Sequence, residues 1–387
     1  MILVSEVVHP GEVHLEFNIA LLKVFCYVYP NGPIIYRAEK EQSDLVKTRS
    51  SLSNVEFCEF KGYYDPRNFS WLKRITGEIK QIHNTLQLGR KKNVDTYLWT
   101  CLFPTGHFFL SLYLIFFRNK NVKHLIVLHG ELEFLKSANR KHTTAAFGLV
   151  LKLAINLGRR DTQYIVLGNR IKDHLEKYFS KDIIKKIVTV LHPYCYDLNI
   201  KPALFKENES SLAFGTIGNQ MLSKNSEQIF DLANMLEEKI NNGVLNFRTI
   251  GKVLPEINPF KNKLVNQLYP DAFVPYSIFE NEARKLNFVL FFYSNDSYQL
   301  CASGAVFEVI KLGLPIISIY NDYFDWLFED YGKMGFLCNN VFEMNSLIRD
   351  IVDGKLTAEI NEMLENIAAF KIKNNLHSIA ADLKSKL

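Results

Sequence analysis

The sequence predicts two α/β domains in succession, each a doubly wound parallel sheet. Three observations carry this expectation. A chain of 387 residues is long for one such domain. Short apolar runs alternate with longer amphipathic stretches, the pattern of parallel strands joined by helices. The polar stretch IKPALFKENES, Ile200–Ser210, interrupts that pattern, which then begins again. The domains are therefore expected at 1–205 and 206–387, the second ending in helices over Leu356–Leu387 that have no strand after them.

In the first domain the strand candidates are Ile2–Val7, Ile34–Tyr36, Thr96–Cys101, Leu125–Leu128, Tyr164–Leu167 and Ile187–Leu191. Pro10-Gly11 and Glu16–Tyr27 read as a loop and the first helix, Phe108–Phe117 as a buried helix, and Asn169–Tyr178 as an amphipathic helix opened by Asn. In the second domain Ala213–Ile217 is a strand, followed by a polar loop to Asn225 and helix Glu227–Lys239. Phe247–Ile250 and Phe288–Phe292 are strands, and helix Ala305–Leu312 ends at Gly313 before strand Ile316–Ile319.

Six cysteines, at 26, 58, 101, 195, 301 and 338, form no CxxC pair, which points to reduced thiols rather than to zinc or a disulfide framework. The start, MILVSEVVHPGEVHLEF, has no basic n-region and meets Glu6 early, so a protein retained in the cytoplasm is expected. Thr96–Phe117 carries no charge, but Pro104, Gly106 and His107 interrupt it, and its strongest run is too short for the ~20 residues of a spanning helix. Charge divides unevenly: residues 1–205 hold 29 Lys and Arg against 18 Asp and Glu (+11), leaving 17 against 23 (−6) for the remainder. A basic, aromatic-rich first half suits an anionic membrane surface or nucleic acid, or is only a solvated charged surface without a partner; no nucleic-acid recognition motif accompanies it. A dehydrogenase fingerprint is also missing, since Val8–Asn18 after the first strand contains one Gly where GxGxxG needs three.

The segment Tyr298–Ser318, YQLCASGAVFEVIKLGLPIIS, holds the most chemistry. Small residues Ser303-Gly304-Ala305 open a helix, where free N–H groups and the helix dipole attract phosphate; a simple helix cap is the alternative reading. Glu308 follows, a carboxylate able to accept two hydrogen bonds from vicinal hydroxyls. Lys224, in the loop after Ala213–Ile217, is a point charge suited to a diphosphate or only to solvent. In the first domain His14 and Glu16 stand in the first loop, and His129-Gly130-Glu131 follows a strand at the carboxyl end, where α/β proteins bind ligands. His192-Pro193-Tyr194 ends the last strand before the polar stretch.

These segments together resemble the retaining GT-B glycosyltransferases of the family-four-like, or group 1, type. There a loop of small residues leads into a Glu-bearing helix, then Gly-x-Pro and a buried strand, as at 302–319. The family's first C-terminal strand ends in Gly, often followed by Arg, with Lys a few residues on. Gly218 and Lys224 match, while Asn219 replaces the Arg. Many members carry a second Glu eight positions before the first, and here that position is Leu300. Asp271–Tyr276 occupies the place of a base-recognition loop.

The resemblance implies two Rossmann-like domains facing a cleft, with acceptor on the first and nucleotide-sugar on the second. Gly218, Lys224, Tyr298, Ser303, Gly304, Ala305 and Glu308 would bind the donor. His14 and His129 would contact sugar or acceptor, and Glu131 would serve as base if the enzyme inverts. With no DxD motif, neither a metal nor another cofactor is expected. The expected activity is transfer of a sugar to a saccharide or lipid-linked acceptor in surface-polysaccharide assembly, cytoplasmic or peripheral at the inner face of the membrane. A GT-B sugar-nucleotide 2-epimerase and a degraded transferase acting as a partner subunit are the alternatives.

Overall fold

The computed structural model describes the chain except residues 64–69, 118, 120, 140–141, 159–161, 199–203, 206–210 and 273. It divides into two compact units. The first comprises Met1–Cys195, Leu300–Ala302 and Asn374–Leu387; the second comprises Tyr196–Gln299 and Ser303–Lys373. The division falls after Cys195 rather than after residue 205, and the polar stretch expected to separate the domains lies, apart from 204–205, outside the described residues.

In the first unit β1 (Ile2–Glu6), α1 (Leu15–Val28), β2 (Ile34–Glu39), α2 (Lys40–Ser50), β3 (Val55–Phe60), α3 (Trp71–Lys91) and β4 (Thr96–Cys101) lead to α4 (Pro104–Phe116) and β5 (Lys123–Leu128). A 3-10 segment (Gly130–Asn139), α5 (His142–Leu157), β6 (Thr162–Val166), α6 (Asn169–Leu175), α7 (Lys181–Ile184) and β7 (Ile187–Thr189) follow. All seven strands are parallel, in the order β3-β2-β1-β4-β5-β6-β7. Apolar β1 and β4 are buried along their whole length, as expected of a sheet covered on both faces.

The second unit runs β8 (Leu212–Ile217), α8 (Gln228–Met235), α9 (Glu237–Asn241), β9 (Leu245–Ile250), β10 (Val265–Leu268), α10 (Tyr276–Ala283) and β11 (Phe288–Phe291). It continues with α11 (Asn295–Tyr298), α12 (Gly304–Leu312), β12 (Ile316–Ile319), α13 (Asp322–Tyr331), β13 (Gly335–Cys338), α14 (Val341–Val352) and α15 (Thr357–Lys373). Its parallel order, β10-β9-β8-β11-β12-β13, repeats the first unit's, so each sheet reverses direction beside its first strand. Ligands of such sheets bind at the carboxyl ends near that reversal. Phenylalanines fill this core: Phe214 stacks on Phe288 at 5.1 Å, with Phe230, Phe247 and Phe292 buried in the same cluster.

Three sequence expectations change. The last helix, α16 (Leu376–Lys386), belongs to the first unit rather than to the domain before it in sequence. His377 stacks on Tyr27 of α1 at 3.8 Å, and Lys386 Nζ donates to the Thr189 carbonyl of β7 at 2.9 Å. The helix expected at 227–239 is two helices, α8 and α9, broken at Leu236. The helix expected to be buried at 108–117 starts at Pro104 and is buried only at Pro104, Gly106, His107, Leu110 and Ser111. Pro104 suits the first helical position, which needs no N–H. Glu78 of α3 accepts the Phe103 N–H at 2.8 Å, and only Gly106 permits this approach, because a Cβ there would lie 2.2 Å from Glu78 Oε1.

At the carboxyl ends of β8 and β9, Gly218 (φ 80) and Gly251 (φ 130) pass so closely that a Cβ on Gly251 would stand 2.5 Å from the Gly218 carbonyl oxygen. Gly251→Ala is therefore expected to lower stability by about 1–3 kcal/mol. Gly243→Ala, at φ 71 with open space around it, should cost about 1 kcal/mol. Urea unfolding midpoints of the two variants check the order; equal losses would contradict the close approach.

Candidate active site

Each unit gathers polar side chains at the carboxyl ends of its strands. In the first, Glu6 ends β1 as a buried carboxylate. Its Oε1 accepts the backbone N–H of Val8 at 2.7 Å and of His9 at 3.0 Å; its Oε2 accepts the Thr100 hydroxyl at 2.9 Å and Asn18 Nδ2 at 3.4 Å. Burial raises its pKa, opposed by His14 and these bonds. Glu6 thus folds the loop that follows it back over the strand ends. It escaped the sequence reading; the available signal was a charge closing an otherwise apolar strand.

That loop lays His9 on His14, ring centroids 3.9 Å apart, and His14 faces His129 at 5.0 Å. Phe17 meets His129 edge-on at 4.6 Å and His192 at 5.0 Å. His14 and His129, singled out separately in the sequence, thus lie together, and His9 and His192 join them. His14 holds a left-handed backbone (φ 59) at the cap of α1, and its buried Nδ1 has no hydrogen-bond partner. His129 Nε2 lies 2.9 Å from the Thr100 carbonyl, which can only accept, so Nε2 carries the proton and Nδ1 a lone pair. Burial pushes His9, His14 and His192 down to about 3, and His129 well below its ordinary value, aided by the Arg74 charge at His9 and by neighbouring histidines at the other three. These imidazoles are neutral near pH 7, and those of His129 and His192 already donate their N–H to the Thr100 and Pro193 carbonyls, so toward hydroxyl groups they can act only as acceptors.

Glu131 Oε1 accepts the backbone N–H of His129 at 2.9 Å, and burial lifts its pKa to about 7, against the lowering of that bond. Glu16, by contrast, forms an ion pair with Arg49. Among the described residues no three of His, Cys, Asp and Glu are placed to hold a metal ion.

In the second unit, Gly218 turns the chain out of β8. Gln220 fastens the turn, accepting the Thr216 hydroxyl at 2.8 Å and donating to the Gly218 carbonyl at 2.7 Å. Lys224 lies in a 3-10 turn (Leu222–Lys224), with Nζ 5.8 Å from the Tyr293 ring centroid. Asn225 Nδ2 donates to the Phe292 carbonyl at 2.9 Å and ties this loop to the end of β11. Tyr293 stacks on Tyr298 at 4.1 Å, and Ser303 Oγ donates to the Tyr293 hydroxyl at 3.5 Å. Four of the positions singled out in the sequence thus share one neighbourhood: Lys224, Tyr298 and Ser303 through Tyr293, with Gly304 next in the chain. Ser303 caps α12 without a side-chain bond, so it satisfies none of the first-turn N–H groups of Gly304 and Ala305.

Glu308 stands one turn further along α12, buried, accepting the Tyr276 hydroxyl at 2.8 Å. Lys311 Nζ reaches the same hydroxyl and lies 3.8 Å from Glu280. The segment Asp271–Tyr276 therefore meets the Glu308 carboxylate through its last residue; Asp271 is exposed, and residue 273 lies outside the described residues.

Glu131 gives a test with a defined sign. Its pKa is higher folded than unfolded, so it favours the folded state while protonated, and that contribution is lost as pH rises from about 4.5 to about 7. Glu131→Gln should gain on wild type across this interval, by about 3 kcal/mol at most, measured by urea unfolding at successive pH values. A difference independent of pH would contradict the burial of an ionisable Glu131.

No protein-family model matches this sequence, and no curated protein matches it. Solved structures do match. A sucrose-phosphate synthase from Thermosynechococcus elongatus is similar with a TM-score of 0.67 at 12% identity, over 100% of this chain and 98% of that one. The lipopolysaccharide outer core galactosyltransferase WaaB, in its apo form, is similar with a TM-score of 0.59 at 10% identity, over 100% and 99%. A Listeria monocytogenes protein named as a candidate UDP-N-acetylglucosamine 2-epimerase has a TM-score of 0.56 at 12% identity, over 96% and 94%. At such identities the likeness is one of fold, and with two Rossmann-like parallel sheets of seven and six strands this chain has the GT-B fold.

Proposed function

We propose that this protein is a glycosyltransferase that moves a sugar from a nucleotide-sugar donor to a saccharide or lipid-linked acceptor. The observation that carries the reading is the neighbourhood at the start of α12, where Lys224, the Tyr293–Tyr298 stack and Ser303 adjoin helix N–H groups. A cation and a helix N-terminus together suit the diphosphate of a donor, and they stabilise the charge that grows on the departing nucleoside diphosphate. Glu308 would hold the ribose hydroxyls, with Tyr276 yielding or sharing the carboxylate.

In the first unit the neutral histidines would bind sugar hydroxyls, and Glu131, lifted to about 7, would act as base if configuration inverts. Retention, independence from metal and a place in surface-polysaccharide assembly on the cytoplasmic side of a membrane belong to the same proposal. Of the neighbouring folds, the epimerase-named one supports a second reading, sugar-nucleotide 2-epimerisation. Leu300 and Asn219, where the resembling family has Glu and Arg, support a third, a non-catalytic partner subunit.

Nucleotide binding is tested by thermal shift against nucleoside diphosphates and their sugars. One nucleotide is expected to raise Tm selectively, corresponding to about 2.7 kcal/mol at a hundredfold excess over Kd. Glu308→Gln, which keeps an oxygen for the Tyr276 hydroxyl, should reduce that shift while leaving the unliganded Tm near wild type. A sugar nucleotide converted to its 2-epimer without acceptor would select the epimerase reading. No shift with any nucleotide would overturn donor binding.

A further inference from the structure

We infer that the face formed by α3, α4 and α5 is a docking surface for an anionic lipid bilayer. These three helices pack side by side in the first unit. Glu78 of α3 abuts Gly106 of α4, and Ser111 Oγ of α4 donates to the Ala154 carbonyl of α5 at 3.0 Å. The first turn of α3 joins them, with Trp71 5.6 Å from Phe103 and 5.1 Å from Phe147 of α5.

The outward residues are unusual in two ways. First, they are apolar. Apart from Thr105 and the Tyr113 hydroxyl, every α4 residue that is not buried is hydrocarbon or aromatic, ending at Phe116, 76% exposed, with Phe117, 58% exposed, next in the chain. On α5, Leu149 and Leu153 are one turn apart and 61% and 45% exposed; Leu72 on α3 is 72% exposed. Second, the three helices carry a single acidic residue, Glu78, which is buried, whereas Lys73, Lys80, Arg90, Lys91 and Lys152 are exposed. Arg90 lies over the rings of Tyr113 and Phe117, at 5.5 and 5.9 Å, which places a cation beside the aromatic end of α4.

Charge complementarity chooses the occupant. A hydrated nucleic acid would satisfy the cations and leave Phe116, Leu149 and Leu153 facing phosphate. An anionic bilayer satisfies both sets, with apolar side chains entering the acyl boundary and Lys and Arg remaining among headgroups. No helix among the described residues is long and apolar enough to cross a membrane, so the contact is one of lying on the surface. Its use in catalysis rests on the lipid-linked acceptor proposed above, while binding itself needs neither donor nor acceptor.

The experiment is co-sedimentation of the full chain with vesicles of phosphatidylcholine, alone or containing phosphatidylglycerol. Binding is expected only with phosphatidylglycerol and should fade as salt approaches about 1 M, where the Debye length is about 3 Å. The double variant Leu149→Glu, Leu153→Glu should weaken binding by at least about tenfold, and Lys152→Gln by about fivefold. Phe342→Glu, at a position 71% exposed in the second unit, should leave binding as in wild type. All four substituted positions are exposed, so Tm should hold in every variant, and the nucleotide-induced shift measured on the same samples reports the donor site separately. Absence of binding to phosphatidylglycerol vesicles, or full binding by the Leu149, Leu153 variant, overturns the inference. So does a dimer in sedimentation velocity that this variant makes monomeric, since a second copy would then be the occupant.

Discussion

Parallel strands covered by helices on both faces are the constraint on which this structure depends. Their interiors have almost no room for polar groups, so polar chemistry collects where strands end. β1 is Ile-Leu-Val-Ser and then Glu6, and the charge sits at the last strand position. There it stays ionisable only because two backbone N–H groups, a hydroxyl and an amide surround it. Burying a carboxylate without such partners is strongly unfavourable, so the loop from Val8 to His14 takes the shape that supplies them. The position of His14 over His129 follows from this carboxylate.

The two units then treat charge in opposite ways. In the first, burial suppresses protonation of four imidazoles, and the resulting cluster is uncharged. In the second, the Lys224 side chain lies beside the Tyr293 ring, and α12 adds the positive end of its dipole. A nucleotide-sugar and a saccharide differ in the same sense, one carrying a diphosphate and the other hydroxyls. On the function proposed above, the histidines would suit the hydroxyls and Lys224 the diphosphate.

Legibility in the sequence follows the same physics. Buried parallel strands read clearly because they are continuous apolar runs: Ile316–Ile319 matches residue for residue, and β1, β4 and β8 lie within a residue of expectation. β3 was invisible because VEFCEF, at the sheet edge, is only partly buried and carries two Glu. α4 showed its apolar character but not its exposure, since composition cannot tell a helix turned into a core from one turned outward. At the site, local motifs such as Ser303-Gly304-Ala305 could be picked out, as could His14 and His129 singly, though not their contact. Glu6, His9, Tyr293 and the Tyr276–Glu308 bond were not, because each depends on strands brought together across the fold.

If Glu308 holds a ribose, as proposed above, the Tyr276–Glu308 bond bears on what the second unit would select. A carboxylate buried on α12 without a partner would be costly, and the Tyr276 hydroxyl, itself touched by Lys311, supplies one. A ligand that reaches Glu308 must then offer hydrogen bonds at least equal to those it displaces. On the donor reading proposed above, two vicinal hydroxyls would compete with Tyr276 for the carboxylate better than one does, as a ribose would and a deoxyribose would not. Selectivity for a ribonucleotide would therefore come from the competition Tyr276 provides, not from the carboxylate alone.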